Sequence, residues 1–70
     1  MEFREKAAIR IKHWLEHNAS HLNEYEAFAE QLEAAEAGGS AAHIREMAEL
    51  TRKTNGCLQR ALEALEGEGA

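Results

Sequence analysis

Seventy residues with a single cysteine make one small domain at most, without an intramolecular disulfide to staple it. Thirteen glutamates against eight scattered lysines and arginines leave a net charge of −5, which argues against a nucleic-acid partner, because phosphate binding needs clustered bases. Asp, Pro and Val are absent, so the residues that favour turns and strands are scarce and the chain reads as all-α.

The first ten residues, Met1 to Arg10, are charged and amphipathic rather than an apolar core with a cleavage site, so they do not read as a signal peptide. No stretch approaches the roughly 18 apolar residues of a membrane span. The expectation is a cytoplasmic protein with no membrane association.

A first helix is expected from about residue 2 to residue 37. Ile11, Trp14, Asn18, His21, Tyr25, Phe28, Leu32 and Ala35 recur at alternating spacings of three and four, flanked by Leu15, Leu22 and Ala29. Asn18-Ala19-Ser20 is a weak helical stretch, and a short helix starting at Ser20 is the alternative. Continuity is preferred because the apolar period passes through without a change of phase. Gly38-Gly39-Ser40 supplies the turn, with glycine for the left-handed position past a helix end and Ser40 as cap for the next helix. A second helix follows over about 41–66, with Ile44, Met47, Thr51, Thr54, Leu58, Ala61 and Leu65 on its stripe, and 67–70 as a frayed tail. Two helices joined by a short connection are antiparallel neighbours. Their stripes are too broad for one hairpin to cover, so a homodimer forming a four-helix bundle is expected.

Both stripes are interrupted by polar residues at matching heights: Asn18 and His21 in the first helix, Thr51, Thr54 and Asn55 in the second. One reading is purely structural, a buried polar layer that fixes register and oligomeric state without any ligand. The other is a metal site. His13, His17 and His21 stand four residues apart, one helical turn each, so His17 and His21 can grip one ion together. Cys57 is expected on the corresponding flank of the second helix, with Glu24 or His13 completing a set suited to zinc, nickel, cobalt or copper. Taken singly, His13 reads as a surface residue, His21 as a hydrogen-bonded core histidine and His17 as the best ligand of the three. Trp14, Tyr25 and Phe28 read as core. His43 lies too far along the rod to join the cluster within one chain.

An enzyme is not expected. No Glu is followed by His three residues later, the pattern of carboxylate-bridged di-iron bundles, and Gly38-Gly39 lacks the context of a phosphate loop. A Cys57–histidine pair would lack an oxyanion site and a substrate pocket.

The run His13-Trp14-x-x-His17-Asn18-x-x-His21-x-x-x-Tyr25, with Asn55-x-x-Leu58-x-x-Ala61-Leu62 later, resembles a small uncharacterised helical domain of bacteria and archaea. That domain occurs alone or attached to CooT-type proteins, nickel-binding accessory factors of carbon monoxide dehydrogenase maturation. The resemblance implies a helical hairpin and a role near nickel or another transition metal, with Trp14, His17, Asn18, His21 and Tyr25 as the matching positions. This chain carries no nickel-binding domain and no His-rich linker. The expected function is therefore a non-enzymatic accessory or interaction module, with a homodimeric or other protein partner and a nickel or zinc site at His17 and His21. The alternative is a structural homo-oligomerisation bundle without ligand.

Overall fold

A computed structural model describes residues 2–68. Two helices account for nearly all of them: α1 spans Phe3–Ala34 and α2 spans Gly38–Glu68, packed side by side as an antiparallel hairpin. α1 is unbroken through Asn18-Ala19-Ser20, because the packed face on either side keeps one phase and holds these weak helix formers in place. The rod measures 52 × 17 × 11 Å, so it is a single layer of two helices with nothing stacked on either broad face.

The line of closest contact is built from small residues. Ala29 and Ala41 are fully buried, Ala48 and Leu62 nearly so. Alanine lets two helix backbones approach closely, and the larger side chains (Ile11, Leu15, Leu22, Leu32, Ile44, Leu58, Leu65) then straddle this line, each only half-buried. Among the described residues no large side chain is completely enclosed.

The turn lies earlier than its glycines suggest. α1 ends at Ala34, and Gly38, Gly39 and Ser40 form the first turn of α2 rather than the connection. The closure has the hydrogen bonds of a Schellman motif: Ala37 N–H donates to the Leu32 carbonyl at 2.8 Å and Glu36 N–H to the Glu33 carbonyl at 3.0 Å. The left-handed residue of that motif is Glu36, at φ 63°, where glycine is usual. Ala37 then accepts from Ala41 N–H at 3.0 Å and so occupies the cap position expected for Ser40. The cause is tertiary. Asn18 and Asn55, bonded across the hairpin, stand equally far in sequence from the Glu36–Ala37 peptide bond, which makes that bond the natural midpoint of the connection. At the other end α2 continues through Gly67 and Glu68, beyond the expected end at 66. The rest of the expected frayed tail, Gly69 and Ala70, falls outside the described residues.

One broad face is laced by ion pairs. Arg45 donates to Glu33 at 2.6 Å, and Arg52 bridges Glu26 of α1 and Glu49 of its own helix. Glu33 sits in the last turn of α1, near the negative end of the helix dipole, and Arg45 supplies the cation that α1 itself lacks there. The hydrogen bond and charge of Arg45 hold the Glu33 carboxyl below the usual glutamate range.

Two predictions follow from this geometry. Glu36→Gly relieves the left-handed strain, and Gly39→Ala adds a side chain into open space in a helical turn. Each is expected to stabilise the fold by about 0.5–1 kcal/mol, read as raised melting temperature at fixed protein concentration. Because the Glu33 pKa is depressed on folding, its pairing supports the fold above the ordinary carboxylate range and is lost as pH falls through the lowered value. Carboxyl NMR titration should show the Glu33 midpoint rising in Arg45→Ala; an unchanged midpoint would refute the assignment.

Candidate functional site

The polar residues expected to form one layer are divided among three arrangements. Asn18 and Asn55 alone cross the hairpin: Asn18 Nδ2 donates to Asn55 Oδ1 at 3.0 Å, and Asn55 Nδ2 reaches the Leu15 carbonyl at 3.4 Å. Both amides are half-buried, so the pair satisfies polar atoms that would otherwise weaken the seam. Thr51 and Thr54 instead donate to the carbonyls one turn back in their own helix, Met47 and Leu50, both at 3.0 Å. His21, expected as a hydrogen-bonded core histidine of this layer, turns along α1.

The histidines form a ladder on α1 with Tyr25 at its end. His13 and His17 stack with ring centroids 6.3 Å apart, His17 meets His21 edge-on at 4.4 Å, and His21 stacks on Tyr25 at 5.9 Å. The regular four-residue step produces this, since each ring lies over the turn before it. At the centre, the Nε2 atoms of His17 and His21 lie 2.9 Å apart. Without a metal one of these nitrogens is the donor and the other the acceptor. On the far side of the His21 ring, Nδ1 lies 3.4 Å from Glu24 Oε2. A Nδ1–H donated to that carboxylate leaves the His21 Nε2 lone pair free, the arrangement by which carboxylates orient metal-ligating imidazoles. Glu24 is therefore placed as an outer partner of His21 rather than beside it as a ligand.

Two nitrogens bound at ~2.0–2.1 Å to one ion stand roughly 3 Å apart, so the His17–His21 pair has the spacing of a two-nitrogen clamp. The larger site expected from the sequence is not assembled. Among the described residues no group of three or more His, Cys, Asp or Glu side chains converges as a metal site. Cys57 is exposed and its sulfur accepts from Arg60 Nη2 at 3.3 Å. His13 reaches His17 only by stacking, and His43 lies exposed near the turn, 3.9 Å from Glu46.

The aromatic residues expected in the core lie at its edge. Trp14 is 47% exposed and Phe28 50%, while Tyr25 is half-buried. At ~100° per residue, Trp14, His17, His21 and Phe28 fall about a quarter turn round α1 from Ala29, on the side away from Glu26 and Glu33. The hairpin thus has one face closed by ion pairs and an opposite, open face. At the helix start that open face deepens into a groove of about 410 Å³ lined by Phe3, Lys6, Ala7, Arg10, Ile11 and Trp14. The sequence places Trp14, His21, Tyr25 and Phe28 on one stripe; their division between seam and open face depends on where α2 sits.

The asparagine pair yields a test. Asn55→Ala leaves the Asn18 amide without its partner and should cost about 1–2 kcal/mol in urea unfolding, whereas replacing both by leucine should be nearly neutral or stabilising. Equal losses in the single and double variants would show that the bond contributes nothing.

No helix of the described residues is long and apolar enough to cross a membrane. No curated protein and no solved structure matches the chain. One family does, over residues 7–65, the span that holds the histidine ladder, the asparagine pair and the turn: the chain belongs to the domain of unknown function DUF8180.

Proposed function

We propose that the chain is a non-enzymatic interaction module of the cytoplasm that pairs with a second copy of itself to form an antiparallel four-helix bundle. The observation that carries this reading is the open face: a hairpin one layer thick, with no large side chain completely enclosed among the described residues, leaves Trp14 and Phe28 half exposed beside His17 and His21. Met47 at 37% and Leu50 at 56% exposure add apolar surface on α2. Full burial of such a side chain is worth ~1.5–3 kcal/mol, so covering the remaining half of several, twice over, is a substantial drive to associate. A hairpin of this size otherwise has little core with which to hold itself together.

A second function rests on the same face. The His17–His21 pair, with nitrogens 2.9 Å apart and Glu24 behind one ring, supports binding of a transition ion such as nickel or zinc. The resemblance of the His13–Tyr25 run to a domain attached to CooT-type nickel-binding proteins points the same way and suits an accessory role.

Trp14 is the only tryptophan and reports directly on the open face. Sedimentation should give a dimer at micromolar concentration, with Trp14 emission shifting to shorter wavelength as concentration rises. Phe28→Ala should weaken the dimer on the order of 100-fold, because the loss occurs in both copies. A well-folded monomer at high micromolar concentration would refute the reading.

A further inference from the structure

The histidine pair provides two ligands and stops, yet it lies in the middle of the open face. Tetrahedral zinc takes four ligands, and the described residues of one chain bring no third to the pair. The middle of α1 falls between Asn18 and Ala19, so His17 and His21 straddle it almost symmetrically. They also belong to one series of alternating four- and three-residue steps that includes Phe3, Arg10, Trp14 and Phe28. This is the spacing of a second helix-packing seam, distinct from the one that meets α2.

The geometry points to a divalent transition ion held between two copies of the chain, with His17 and His21 contributed by each. The inference rests on the self-association reading and specifies its register. A two-fold axis crossing α1 at residue 19 makes the two copies of α1 antiparallel, and it maps the stepped series onto itself. His17 then lies opposite the partner's His21, Trp14 opposite the partner's Glu24, and Arg10 opposite the partner's Phe28. Four imidazole nitrogens converge where each chain alone offers two, a set suited to zinc, nickel, cobalt or copper.

Charge favours the same orientation. The first half of α1 holds Arg4, Lys6, Arg10 and Lys12 against Glu5 and Glu16, whereas the second half holds no Lys or Arg, with Glu24 on the open side and Glu26, Glu30 and Glu33 toward the α2 arginines. An antiparallel pairing of two such helices sets the basic half of each against the acidic half of the other, while a parallel pairing opposes like charges. Lys6 and Arg10 line the groove of this face, and Glu24 lies beside His21.

The experiment uses the full chain without a polyhistidine tag, sedimented in chelator or in zinc or nickel chloride, with bound metal measured alongside. The expected result is one ion per two chains and a dimer dissociation constant at least tenfold lower with metal. His17→Gln with His21→Gln, at an exposed and a half-buried position, should keep wild-type helicity but lose the metal response, while His43→Gln keeps it. One ion per chain with unchanged dimerisation overturns the bridge, as does a metal response that survives the double variant. A metal-free dimer indifferent to ions overturns this inference alone; a monomer under both conditions overturns the self-association reading with it. Orientation is read by mixing Lys6→Glu/Arg10→Glu with Glu24→Lys/Gln31→Lys: heterodimers should exceed the statistical half, and statistical mixing would refute the antiparallel α1 seam.

Discussion

The close approach of two helix backbones over Ala29, Ala41 and Ala48 is the constraint on which the rest of this structure depends. Small side chains along that line bring the helices together but bury little apolar surface of their own. The bulky residues must therefore sit beside the line rather than in it, and they divide between two faces. On one face the gap is bridged by Arg45 and Arg52 reaching to Glu33 and Glu26. On the other, aromatic rings and imidazoles stand without a second layer above them.

A single polar contact fixes how the two helices are placed lengthwise. Apolar packing between alanine-lined helices tolerates sliding, because one small residue resembles the next. The Asn18–Asn55 bond does not, since a shift by one turn would leave two half-buried amides without partners. The register also decides the turn. It puts Glu36 in a left-handed conformation that glycine would adopt more easily, and it draws Gly38 and Gly39 into helix. Local preference yields to tertiary register here, at a cost of about 1 kcal/mol at Glu36.

The histidine ladder is a local structure in a tertiary setting. Its rings stack because they recur every four residues on one helix, and Glu24 meets His21 because it follows three residues later. Nothing in α2 is needed for that. What α2 supplies is the position of the ladder on the open side of the rod, where a pair of nitrogens 2.9 Å apart faces outward among exposed aromatic residues. A polar pair at the centre of an apolar face suits an interface with a defined register, since it rewards one alignment over its neighbours.

The sequence by itself determined the helical hairpin, the unbroken first helix and the pairing of His17 with His21, because each follows from periodicity within a single helix. It did not determine that the turn falls at Ala35-Glu36-Ala37, that Trp14 and Phe28 stay half exposed, or that Cys57 meets Arg60 instead of the histidines. Those outcomes rest on how far α2 is rotated and slid against α1, a choice made by Ala29, Ala41, Ala48 and the Asn18–Asn55 bond together. Periodicity specifies which residues share a face; only packing against a partner decides which way that face points.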